Sequence, residues 1–117
     1  MTNKHRTYFI ADIAANHDGD LQRAKDLCLL AKECGADAAK FQHFKASTIV
    51  SNKGFKDLGN QQSHQASWKK SVYEVYDDAS VPLDWTPTLK KYCDEIEIDF
   101  FTTPYDIEYV DYLDDFV

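Results

Sequence analysis

Glycine and proline are scarce, four and three among 117 residues. That excludes a collagen-like or low-complexity chain, and 44% hydrophobic against 28% charged residues excludes the strongly disordered class. Cysteine is also sparse. Cys28, Cys34 and Cys93 form an odd set with no C-x-x-C spacing, which argues against a disulfide framework and for reduced thiols in a cytoplasmic protein. Cys28 and Cys34 fall on apolar helical positions, where packing is their expected role. No apolar run approaches the roughly 18 residues of a membrane span, and the first six residues lead directly into a strand-like segment. The expectation is a soluble protein that makes no use of a membrane.

Bases are missing from one region altogether. Positions 94–117 hold nine acids and no Lys or Arg, whereas 1–60 hold nine bases against seven acids and 61–93 four against four. The net charge of −7 therefore resides in the last 24 residues. With no basic stripe, nucleic acid and anionic membrane surfaces are excluded as partners. Gly-rich phosphate loops, a G-x-S-x-G elbow and a dinucleotide fingerprint are absent as well. His5, His17, His43 and His64 show neither the i, i+4 nor the H-x-H spacing of a metal site. A chain of this length can bury a core of its own, but it cannot close an eight-stranded α/β barrel, which needs about 250 residues.

What is present is a regular alternation of strand and helix. Thr7 to Ala15 is a mostly apolar run with one acid, suited to a strand buried on both faces. From Leu21 the period changes: Leu21, Ala24, Leu27, Cys28, Ala31 and Cys34 recur at three- and four-residue steps, with Asp20 as N-cap and Gly35 as the residue ending the helix. Asp37 to Phe44 reads as a second strand, completing a β-α-β unit. Residues 45–65 are polar and aperiodic, a long connection that reads as a lid or binding loop or, more simply, as disorder. A helix is predicted from about Ala66 to Asp78, another from Pro82 to about Ile96 with Pro87 in its first turn, a third strand over Asp99–Pro104, and a last helix marked by Ile107, Val110, Tyr112, Leu113 and Phe116. No repeat beyond this alternation and no domain boundary is visible.

In parallel α/β sheets the ligand site lies at the carboxyl ends of the strands. Asp12, Lys40, Gln42 and Thr102-Thr103 fall there. Alternation puts Ala38, Lys40 and Gln42 on one face and Ala39, Phe41 and His43 on the other, so His43 faces the helix layer and Lys40 the opposite side. A lysine in that position needs an anionic partner, because burying an unpaired ammonium is very unfavourable. Composition and spacing leave two partners open: Asp12 on the neighbouring strand, or an anionic ligand such as a phosphate or carboxylate, with Gln42 and a threonine hydroxyl as hydrogen-bond donors.

The stretches F-I-A-D-I-A-A-N-H-D-G-D, A-K-D-L-C-L-L-A-K-E-C-G-A-D-A-A-K-F-Q and I-D-F-F-T-T-P-Y-D, in this order, closely resemble the N-terminal part of sialic acid synthases, the N-acetylneuraminate synthase family. The resemblance runs from Tyr8 to the end of the chain. It implies an α/β fold: residues 1–117 would be the N-terminal portion, about three β/α units, of a TIM (β/α)8 barrel incomplete in this chain, with the family's antifreeze-like domain absent from it. It implies an activity that joins phosphoenolpyruvate to an N-acetylated amino sugar, typically N-acetylmannosamine, releasing phosphate. A homodimeric parent protein is implied too, with Mn2+ or Mg2+ held by ligands beyond residue 117, so that no metal ligand is expected in the chain and the fragment alone is expected to be inactive. Position by position, Lys40 is similar to a lysine contacting phosphoenolpyruvate, Gln42 to a glutamine beside the amino sugar, Thr103 to a threonine binding phosphoenolpyruvate, and Asp12 to an acid near the reacting aldehyde. By the same resemblance, Asn60 in the long connection is similar to a sugar-contacting Asn. The implied role of Lys40 is electrostatic rather than that of a Schiff-base nucleophile.

Two positions depart from the family pattern. Asp12 stands where the family usually has Glu and reaches less far by about one carbon-carbon bond. Glu97 stands where Gly is usual, at a helix end that demands positive φ. Two other readings accompany the resemblance: a related synthase making legionaminic or pseudaminic acid, and a non-catalytic truncated barrel acting as an anion-binding or assembly module, its open sheet covered by a partner or a second copy.

Overall fold

The computed structural model describes residues 5–51, 53, 54 and 69–117. Within them, β1 (Ile10–Ala14), β2 (Ala38–His43) and β3 (Asp99–Pro104) form a parallel sheet in the order β1-β2-β3. α1 (Leu21–Glu33) joins β1 to β2. Between β2 and β3 come α2 (Ala46–Ile49), α3 (Val72–Ala79), a 3-10 turn at Leu83–Trp85 and α4 (Thr86–Glu95), and α5 (Ile107–Asp114) follows β3. None of the described helices is long and apolar enough to cross a membrane.

The helix boundaries have local causes. The Asp20 side chain accepts from the Arg23 N–H at 3.1 Å and caps α1, and Gly35 adopts φ +90° just beyond its end. α3 begins at Val72, later than the apolar stripe suggests, because Ser71 and Glu74 form a reciprocal capping box. The beginning of that predicted helix, Ala66 to Trp68, lies outside the described residues. Pro87 sits in the first turn of α4, where its missing N–H breaks no helical bond.

One layer of helix packs on one face of the sheet. Ala24, Cys28 and Ala31 of α1 and Leu89 and Cys93 of α4 bury Ile13, Ala39, Phe41 and Phe100. Phe41 and Phe100 stack with centroids 5.8 Å apart, and burying each such ring stabilises the fold by about 1.5–3 kcal/mol. The Cys28 and Cys93 thiols meet at 3.8 Å inside this layer, as the packing role expected of Cys28 requires. Cys34 departs from that expectation: it is exposed, because it sits at the C-cap where α1 ends.

At the amino ends of the strands, the segment before β1 is tied down by side chains. Asp37 accepts from the Arg6 guanidinium and from the Phe9 N–H, and Tyr8 donates its hydroxyl to the Asp99 carboxylate, which pushes the phenol up to about 12. On the sheet face away from the helices, Ile10, Asp12 and Phe101 are exposed.

Candidate functional site

The sheet's second face carries the predicted polar residues because the strands are in register. Asp12, Lys40 and Phe101 form one row across it, and Gln42 and Thr103 form the next row toward the carboxyl ends. Strands lie about 4.8 Å apart and successive same-face residues about 6.6 Å, so these side chains occupy a single small patch. Asp12 is exposed, while Lys40, Gln42 and Thr103 are partly buried. Exposed Ile10 and Phe101 add apolar surface to the same face. Asp12, Lys40, Gln42 and Thr103 are thus brought together; Thr102 turns to the helix side, and Asn60 lies outside the described residues.

Among the described residues, no ion pair joins Lys40 to Asp12 or to any other carboxylate, although Asp12 is its direct register partner. Of the two partners the sequence left open, the structural one is therefore not formed. Lys40 and Thr103 bring an ammonium and a hydroxyl to one face of adjacent strands, the chemistry that recognises a phosphate or carboxylate, and Gln42 adds an amide to the same face.

Immediately after Asp12 the ladder slips. Asp12 pairs with Lys40, but Ala14 pairs with Phe41, so two residues of β1 face one of β2, and Ala14 takes φ +49°. Bulges of this kind re-aim side chains near active sites. The sequence carries no signal for it, since alanine has no preference for positive φ.

Behind the patch, on the helix side, lies a buried polar network. His43 is completely buried; its Nδ1 is 2.6 Å from the Thr102 hydroxyl and its Nε2 is 3.1 Å from the Thr86 hydroxyl at the start of α4. Burial, aided by the nearby His17, pushes the imidazole down to about 4, so it is neutral at pH 7. One ring nitrogen then donates and the other accepts, and two hydroxyls can serve either arrangement. His17, in the loop after β1, is also fully buried, edge-on to Trp85 at 5.4 Å, with its Nδ1 accepting from the Gly19 N–H. Its pKa is lowered by burial, against the opposing influence of the Ala79 backbone and Asp18. Alternation alone put His43 on the helix side; its two threonine partners and the burial of His17 were not legible, because they depend on how α4 and the 3-10 turn seat against the sheet.

At the exit of β2, Lys45 reaches Glu108 at 2.7 Å and Asp106 at 3.5 Å, and its ammonium lies 4.9 Å from the Tyr109 ring centroid. The Glu108 carboxylate, the largest influence, holds the lysine above its ordinary pKa. Asp106 also caps α5 through the Glu108 N–H, so the β2 exit and the β3–α5 turn are clamped together.

Among the described residues, no three His, Cys, Asp or Glu side chains converge as ligands for a cation. Asp12 is the carboxylate at the carboxyl end of this face, and one carboxylate does not make a divalent-metal site. The resemblance assigns the Mn2+ or Mg2+ ligands to positions beyond residue 117.

Comparison with known proteins bears on the same chain. It is 37% identical over 106 residues to the N,N'-diacetyllegionaminic acid synthase of Legionella pneumophila, covering 91% of this chain and 29% of that protein. It is 36% identical over 99 residues to the N-acetylneuraminate-9-phosphate synthase of Homo sapiens, covering 85% and 26%. The crystal structure of the N-acetylneuraminic acid synthetase of Leptospira borgpetersenii superposes with a TM-score of 0.75 at 23% identity, covering 96% of this chain and 34% of that one, which shows a shared fold. The chain thus spans about a third or less of the length of these relatives. A family model, that of the NeuB family, matches residues 27–117. With most of its length matched, the chain belongs to the NeuB family of synthases.

Proposed function

We propose that the described sheet and helices are the first three β/α units of a (β/α)8 catalytic barrel. The protein that carries them condenses phosphoenolpyruvate with an N-acetylated amino sugar and releases phosphate. The observation that carries this reading is Lys40, which has no carboxylate partner among the described residues and shares the open face with Gln42 and Thr103. Lys40 and Thr103 neutralise and orient the anion, and Gln42 holds the sugar. C3 of phosphoenolpyruvate attacks the open-chain aldehyde carbon, water adds at C2, and the C2–O bond breaks as phosphate departs. The work of these residues is positioning and electrostatic stabilisation. Asp12, at the edge of the patch, faces the aldehyde end. The acceptor is proposed only as an amino sugar, because relatives of nearly equal identity carry names for different products.

The test is phosphate release from phosphoenolpyruvate by the full-length protein, supplied in turn with N-acetylmannosamine, its 6-phosphate and a diacetamido sugar. One acceptor should support turnover. Lys40→Met should lower kcat/KM for phosphoenolpyruvate by about 10–100-fold, the loss expected for a charge-assisted hydrogen bond. The 117-residue chain alone should release none. Wild-type protein that turns over no acceptor, or a Lys40→Met variant as active as wild type, would refute the assignment.

A further inference from the structure

We infer that His43 and Thr102 are a positioning pair that sets the aim of Gln42 and Thr103 from behind the sheet. This rests on the phosphoenolpyruvate reading of the open face. Consecutive residues of a strand point to opposite faces, so Gln42 and His43 are two sides of one segment of β2, as Thr103 and Thr102 are of β3. On the open face Gln42 and Thr103 are direct register partners. On the helix face, the His43 Nδ1 and Thr102 Oγ1 are 2.6 Å apart, and both side chains are buried.

Backbone hydrogen bonds fix how far one strand slides along another, but they leave each strand some rotation about its own axis. A side-chain bond between β2 and β3 removes that rotation where the two functional side chains emerge. The second ring nitrogen prevents the imidazole from swinging, because it is held at 3.1 Å by Thr86 of α4. Neither His43 nor Thr102 reaches the open face, so neither touches substrate. Their effect passes through the backbone into the geometry of the anion site, where displacements of about 1 Å are costly.

Three variants of the full-length protein test this. Thr102→Val keeps the shape of the side chain and removes the hydroxyl. Thr102→Ser keeps the hydroxyl. Cys93→Ala opens a small gap in the same core from α4, outside the hydrogen-bond network, and controls for lost stability. Affinity for phosphoenolpyruvate is read by calorimetry and kinetics as a split of KM from kcat. Thr102→Val should weaken binding about ten-fold or more, Thr102→Ser should stay within about three-fold, and Cys93→Ala should bind as wild type even though it unfolds more easily. If Thr102→Val binds as tightly as wild type, or no worse than Cys93→Ala, the positioning role is overturned while the site assignment stands. If the wild-type protein binds no phosphoenolpyruvate, the site assignment falls and the positioning role with it.

Discussion

Acid should destabilise this fold through one buried imidazole. His43 is wholly shielded, and its pKa falls from 6.5 to about 4, chiefly because burial disfavours the charged ring. The unfolded chain, with an ordinary histidine, binds more protons than the native state between those two values. Native stability therefore falls as pH drops through that window, and it is insensitive to this group above pH 6.5 or below pH 4. With these two values the loss is about 2 kcal/mol at pH 5 and about 3 kcal/mol at pH 4 relative to pH 7.5, a large share of the 5–15 kcal/mol that holds an ordinary domain together. His17, the titratable neighbour acting on this ring, is itself depressed by burial and adds a slope of the same sign. The assay is urea unfolding of the full-length protein and of its His43→Gln variant across pH 4 to 7.5. The variant keeps a hydrogen-bonding amide and lacks the titration, so the stability difference between the two proteins should change by about 2 kcal/mol between pH 7.5 and pH 5. A difference that stays constant over this range, or a His43 ring resonance titrating near 6.5 in the folded protein, would refute the reasoning.

Two further substitutions test the local backbone. Glu97 takes φ +60° after α4, and its carbonyl, which accepts from Lys32 at 2.6 Å, would be unchanged by loss of the side chain. Glu97→Gly should therefore stabilise the fold by about 0.5–1 kcal/mol in denaturant titrations, and a loss of stability would show that the residue is not strained. Asp20→Ala should cost about 1 kcal/mol, because the Arg23 N–H loses its acceptor and α1 its cap. An unchanged unfolding midpoint would mean that water replaces the carboxylate without penalty.

The sheet could be read from the sequence because its signals are local. The third strand, Asp99–Pro104, is legible because a run of aromatics and threonines follows a helical stripe and ends on proline. Period-2 alternation was enough to put Lys40 and Gln42 on one face and His43 on the other. The helix leading up to α4 was harder. Its first turn is a separate 3-10 segment, Leu83–Trp85, whose Trp85 packs against His17, a contact 68 residues away that no local pattern contains. For the same reason the hydroxyl partners of His43 were invisible: Thr86 and Thr102 are 43 and 59 residues distant. Glu97 was legible by a different route. Its place where glycine is usual marks the position as left-handed, and the backbone adopts that conformation with glutamate in place.

The slip in the ladder after Asp12 changes how β1 has to be numbered against its relatives. Up to Asp12, parity tells inside from outside; after it the count is offset by one, because Ile13 and Ala14 share a single neighbour on β2. A residue placed by counting backward from the Asn16–Gly19 turn would land on the wrong side of the sheet, whereas one counted forward from Ile10 would not. Comparisons of this strand across the family are therefore best anchored at its amino end. The one-methylene difference between Asp12 and the usual glutamate then has to be weighed together with the tilt of the peptide that carries it, because backbone and side chain jointly decide where the carboxylate arrives.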